Sequence, residues 1–228
     1  MEKSIKNAFT FMFKDEGWKF KLSILAGLQL SFNYLLYVLV HNINNHNSAN
    51  ILLFIIIGII AFFLFMIIEG YSLKCINNII FSENKNNNLL PDWEDNFLNY
   101  FVIALKQLFA GILVIPILIP SAILIIPFLF FLFLSTALSR IFCTEFKITS
   151  FYAWKTAFNF IKQDFGKYIK ILLTIFGVAI VYSMVANLAN SIIGIIILSF
   201  VFIYYILIVA YLVGIVGSNK DNLETVND

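Results

Sequence analysis

Three carboxylates stand within four residues in Leu90-Pro91-Asp92-Trp93-Glu94-Asp95, and a group that dense can do one of two things. It can bind a divalent cation or a basic partner. Alternatively, it can serve the start of a helix. Asp92 would then accept hydrogen bonds from unpaired amides, while Glu94 and Asp95 favour the positive helix end. A calcium site built only from protein wants about six or more oxygens, which favours capping. Trp93 fits a headgroup anchor, and Gly70-Tyr71 forms a similar interfacial motif further back.

The second polar set lies in apolar surroundings. Gln29 and Asn33 are four apart, with Ala26 and Tyr37 continuing their face; Ser183, Asn187 and Asn190 repeat the pattern later. Such a face is either a pocket for a lipid headgroup or small solute, or a strip of interhelical hydrogen bonds. The second use is commoner, at about 0.6 kcal/mol per contact. His41 and His46 share an Asn-rich loop without Cys or carboxylate nearby, so they read as solvated. The chain lacks a His-Glu-x-x-His motif, a phosphate-binding glycine loop and a nucleophile elbow. Glu69, Lys106 and Arg140 all fall at the ends of apolar stretches, which counts against ion-coupled transport and intramembrane proteolysis. No catalytic, cofactor-binding or metal-ligating residues are expected, and the chain reads as a non-enzyme.

The elements that carry these residues follow from composition. Hydrophobic residues make up 61% of the 228, and charged residues 12%. Globular proteins have roughly 45–50% and about 25%. A chain this apolar cannot cover its own core in water, so the expected class is an all-α, polytopic membrane protein. A net charge of +2 argues against nucleic acid, and 26 Phe argue against disorder. Cys75 and Cys143 are too few for a disulfide framework. Heavy use of Ile, Asn, Phe and Lys suggests an AT-rich prokaryotic genome, and no cleavable signal peptide is evident in 1–21.

Crossing hydrocarbon takes about 20 apolar residues. The clearest run, 51–68, holds eight Ile, three Leu and four Phe. Inserting those side chains is worth roughly −5 to −9 kcal/mol. A more polar span covers 22–40. The uncharged stretch between Lys170 and Lys220 holds two more, 169–185 and 192–216. Between Lys106 and Arg140 lie 33 uncharged residues, too long for one span and short for two. Pro116, Pro120 and Pro127 disfavour one straight helix, and Pro120-Ser121 is the natural reversal point. The expected spans there are 105–119 and 122–139, as a full or a re-entrant hairpin.

Sidedness follows from the charges. With six crossings, all 15 basic and 13 acidic residues fall on one side, which the positive-inside rule makes cytoplasmic. The expectation is six segments in three hairpins within one membrane domain, 1–217, then a polar tail, 218–228, with both termini cytoplasmic in a cell membrane. Ile5, Ala8, Phe9, Met12 and Phe13 recur at helical spacing, as do Tyr71, Cys75, Ile76 and Ile79, and Phe151, Trp154, Phe158 and Ile161. These segments are expected to lie in the interface plane, with packing as a cytoplasmic cap the alternative. Two of them look like copies. Ala8, Phe9, Phe11, Asp15, Gly17 and Lys21 return as Ala157, Phe158, Phe160, Asp164, Gly166 and Lys170, each displaced by 149 positions.

Four features in order resemble a known family: the N-terminal aromatic-Lys segment, Gly70-Tyr71 with Lys74, Leu90-Pro91-x-Trp93-x-Asp95, and 151–168 followed by Tyr211-Leu212-Val213-Gly214. Together the chain resembles domain-of-unknown-function family 4013, multi-pass membrane proteins of archaea and bacteria. An Asn-rich insert, 84–88, departs from that pattern. The resemblance implies the fold and membrane setting and brings no catalytic residues. The expected role is a non-enzymatic scaffold or accessory subunit acting through cytoplasmic interfacial helices. Its partners would be the lipid bilayer and a membrane protein, with no nucleic acid and no cofactor. The alternative is a transporter or permease component moving a small solute or lipid through the bundle.

Overall fold

The computed structural model of the chain describes residues 6–15, 17–44, 51–81, 89–93, 97–121, 125–186 and 191–216. With no water in a bilayer core, backbone groups must be satisfied within the segment, and the long apolar runs accordingly become helices. A 3-10 turn, Phe11–Lys14, precedes α1 (Trp18–Asn44). There follow α2 (Ile51–Phe81), α3 (Phe97–Ser121) and α4 (Ile125–Glu145). A second 3-10 turn, Ile148–Tyr152, leads to the short α5 (Trp154–Gln163), then α6 (Phe165–Ala186) and α7 (Ile192–Ile215). Among the described residues there is no strand.

Local chemistry sets several of these boundaries. Gly17 adopts φ 73°, a left-handed conformation that glycine takes without strain, and the chain turns there into α1. Ser191 caps α7 by accepting a hydrogen bond from the Gly194 amide at 3.0 Å. Helix α3 is described to Ser121 and α4 from Ile125, and the expected reversal between them lies outside the described residues. Among the described residues, four helices are long and apolar enough to cross a membrane: Trp18–Val40, Leu52–Phe81, Phe165–Ala186 and Ile192–Ile215. Phe97–Ile112 is a shorter apolar stretch, and the side chains of 113–131, which decide the remaining two expected crossings, lie outside the described residues.

Helix α2 is the hub. It packs on α1, α3, α4 and α7, and α7 in turn packs on α1, α4 and α6. At 31 residues α2 is about 46 Å long, well beyond the roughly 30 Å of hydrocarbon. Its last turns enter a core at one end of the bundle, where Tyr71, Cys75, Tyr100, Phe142, Cys143, Ala157, Tyr168 and Leu212 are fully buried. The opposite halves expose Leu52, Ile59, Phe176, Met184 and Ile193, apolar faces of the kind a membrane covers. Residues 6–15 meet the end of α7 at the core end: Phe11 stacks on Tyr211 at 4.7 Å, and the Tyr204 hydroxyl donates to the Phe9 carbonyl at 2.8 Å.

The amphipathic segments differ from expectation. Tyr71, Cys75, Ile76 and Ile79 are the buried continuation of α2, not a separate helix in the interface plane. Ala8, Phe11 and Met12 turn inward, and so do Ala157, Phe160 and Ile161 of α5, which packs on α4. Their apolar stripes are used to build the cap, because a core reached by neighbouring helices removes more apolar area from water than a headgroup layer does. The internal copy holds only in its first half. Ala8 and Phe11 match Ala157 and Phe160 in burial, but Gly166 is helical, Lys170 is exposed, and Asp164 pairs instead with Lys167 at 2.6 Å.

One contact fixes how closely the hub approaches its neighbour. A Cβ on Gly70 would lie 1.9 Å from the Tyr100 carbonyl oxygen, so only glycine permits α2 and α3 to meet there. Gly58 on the same helix has open space around its Cβ position. Gly70→Ala should therefore destabilise the protein by about 1–3 kcal/mol or more, while Gly58→Ala is close to neutral. Denaturant titration in detergent micelles reads the difference, and equal losses would contradict this packing.

Candidate functional site

Lys21 opens the second turn of α1 and points into the cap, where it is 5% exposed. Its ammonium donates to Asp15 Oδ1 at 2.8 Å, to Asp92 Oδ1 at 2.8 Å and to the Leu90 carbonyl at 2.9 Å. A lysine has three donors, and all three are used. Asp15 Oδ2 accepts from the Leu90 amide at 2.8 Å, so the carboxylate is shared between the lysine and the loop backbone. The Lys21 carbonyl accepts from Trp93 Nε1 at 3.0 Å. Leu90, Pro91 and Trp93 are thereby pulled down on the head of α1.

Aromatic packing completes the clamp. Trp93 stacks on Tyr71, with centroids 4.5 Å apart and planes at 16°, and on Phe97 at 5.2 Å. Tyr100 meets both Tyr71 and Trp93 edge-on, and its hydroxyl donates to the Asp92 carbonyl. Each such ring pair adds about 0.5–1.5 kcal/mol beyond area burial. Gly70 lets the Tyr100 backbone into this space. The Gly70-Tyr71 and Pro91-Asp92-Trp93 motifs, some twenty residues apart in the sequence, are thus two halves of one site.

One expectation changes here. Trp93 is 9% exposed and packed among rings, so it is a core residue and not a headgroup anchor. The Asp92 carboxylate pairs with Lys21 and keeps much of its surface exposed, while the amides it is expected to cap lie outside the described residues. Glu94 and Asp95 lie outside the described residues. Sequence reasoning missed Asp15 and Lys21 as site residues, treating them only as part of the repeat. The available signal was an Asp and a Lys six apart across a glycine turn, ahead of a span.

The intramembrane polar set is also rearranged. Gln29 Nε2 donates to Asn33 Oδ1 at 3.1 Å, and Asn33 Nδ2 donates to Ser199 Oγ of α7 at 2.9 Å. Ser199 passes its own proton to the Ile195 carbonyl at 2.8 Å. Ser183 does not join them: it is exposed on α6 and bonds back to the Ile180 carbonyl. Asn187 lies outside the described residues, as do Asn190, His46 and the side chain of His41. Ser199, the lone small polar residue of a very apolar helix, is the partner the sequence reading overlooked. A nearby cavity of about 730 Å³ between α1, α6 and α7 is lined by Leu22, Ala26, Val181, Phe200 and Tyr204, with Lys19 and Ser23 but neither Gln29 nor Asn33.

Chemically, the clamp binds its own parts. Its ammonium has no N–H left to donate to a ligand, and among the described residues no three of His, Cys, Asp and Glu come together. Compared with family models, curated proteins and solved structures, the chain matches none.

Burial separates the two acids of the clamp. Asp15 is fully enclosed at its side chain, whereas that of Asp92 is 56% exposed. Lys21→Met would strand the Asp15 charge and cost about 3–5 kcal/mol. Asp92→Asn should cost only about 0–1 kcal/mol. Unfolding followed by tryptophan fluorescence checks both, and comparable losses would refute the assignment of the buried pair as the one that matters.

Proposed function

We propose that this chain is a multi-pass membrane scaffold or accessory subunit of a prokaryotic cell membrane, with six crossings in three hairpins and the cap on the cytoplasmic side. The observation that carries the reading is the rim of the cap. Phe13, Phe20, Tyr152, Phe158 and Phe165 stay exposed beside Lys14, Lys19, Lys155 and Lys162, while the interior of the cap is committed to its own packing. Aromatics mixed with lysines around a rigid platform suit contact with a membrane surface and a protein seated on it. The sidedness rests on the distribution of basic residues, and a relation to family 4013 is drawn from the order of the motifs alone, since no family model matches the chain.

The transport alternative draws on Gln29 and Asn33. The bond from Asn33 to Ser199, with Gln29 bonded to Asn33, favours interhelical glue instead. Replacing Gln29 and Asn33 by Leu should therefore leave any solute flux in proteoliposomes unchanged; its loss with folding intact would favour the permease reading.

Because Phe11 and Phe160 are core residues, the scaffold test uses exposed positions. Phe13→Ser with Phe158→Ser should leave insertion and stability nearly unchanged. The same pair should release a stoichiometric second polypeptide seen by native mass spectrometry of lipid-extracted protein. A lone chain, unaffected by the pair, would overturn the scaffold. Orientation has its own check: a single Cys introduced by Asn45→Cys should react with an impermeant reagent from outside the cell, and labelling from the cytoplasm alone would invert the topology.

A further inference from the structure

Arg140 is the single arginine of the chain; the other fourteen basic residues are lysines. It is 2% exposed, on the inward side of α4, with its guanidinium carbon 5.3 Å from the centre of the Phe160 ring of α5. Among the described residues, neither Nε nor Nη2 has an acceptor. These two nitrogens share one edge of the guanidinium, the edge that offers two parallel N–H groups to an oxyanion. Tyr168 of α6, within electrostatic reach, is fully buried and its hydroxyl also lacks a partner among the described residues. Asp164, the carboxylate within electrostatic reach, is ion-paired with Lys167 at 2.6 Å, and among the described residues no carboxylate forms an ion pair with the guanidinium. An enclosed cation with no counter-charge in contact is stabilised when an anion joins it. A lysine, with its round, strongly hydrated charge, would not present that flat pair of donors.

We propose that Arg140 and Tyr168 form a site for a phosphate oxyanion, supplied by the headgroup of a phospholipid. Depth decides the source. Arg140 precedes Glu145 by five residues, about 7–8 Å along the helix. Glu145 itself is exposed and paired with an exposed Lys147 at 2.8 Å, as suits a position outside the hydrocarbon. The polar zone on each side of the hydrocarbon is roughly 5–8 Å thick. Arg140 therefore sits where phosphates end and acyl chains begin. The oxyanion chemistry stands on the side chains alone, while the lipid source rests on the membrane reading above.

The test uses the full chain, purified in detergent free of phosphate and lipid. Inorganic phosphate and, separately, phosphatidylglycerol are added, and thermal unfolding and lipid retention by native mass spectrometry are recorded. Wild type should unfold a few degrees higher with phosphatidylglycerol and retain one lipid per chain. Arg140→Met should lose about tenfold or more in retention and give no thermal response, yet be no less stable than wild type without ligand, since a stranded charge has gone. Tyr168→Phe keeps the ring and removes one donor, so it should fold normally and retain lipid a few-fold less well; it carries the test if Arg140→Met does not fold. Asn159→Ala, on the exposed face of α5 and outside the lysine-aromatic rim, should behave as wild type. A response to inorganic phosphate alone would keep the oxyanion site and reject its lipid source. No response in wild type, or the same response in Arg140→Met and Tyr168→Phe, would overturn the site. None of these readouts involves a protein partner, so loss of the scaffold reading would leave them unaffected.

Discussion

One enclosed ammonium organises the end of this bundle where the packing is tightest. A charge cannot be left bare at that depth, and every acceptor that neutralises Lys21 comes from outside its helix. Asp15 arrives from the N-terminal turn, and Leu90 and Asp92 from the loop between α2 and α3. Satisfying one side chain thus fixes three separate stretches of chain. The rings of Tyr71, Trp93, Phe97 and Tyr100 then fill the remaining volume, and Gly70 lets the backbones close around them.

The two ends of the molecule follow different packing rules. Where helices continue past the thickness of hydrocarbon, they are held by water-driven burial, as in a soluble domain. Further along, lipid is as good a solvent for Ile and Phe as protein is, and attachment depends on small residues and hydrogen bonds. The Gln29–Asn33–Ser199 chain is of that second kind. This division explains why the platform is compact and its exposed aromatics are confined to a rim, and why the far halves of α2, α6 and α7 present bare apolar surface.

Much of this was legible in the residues. Long uncharged runs announce helices, and the sequence separates cleanly into apolar stretches and charged connectors. What escaped was pairing across distance. Trp93 carries a local signal for an anchor, which lost to its packing on Tyr71, and the pairing of Asp92 with Lys21 is a proximity no periodicity reveals. Ser183 and Ser199 are equally plausible partners for Asn33 by type and depth, and only the rotation of α6 and α7 about their axes decides between them. The internal copy misled for a similar reason, since six matched residues specify a local shape but not the companions that shape will meet.

The separation between Lys21 and its acceptors bears on how the protein is made. Leu90 and Asp92 are translated about seventy residues after the lysine they neutralise. Until they arrive, Asp15 alone can pair with the ammonium, whose other two protons must be met by solvent. Closure of the platform is in that sense a late event, timed by synthesis of the Leu90-Pro91-Asp92-Trp93 segment.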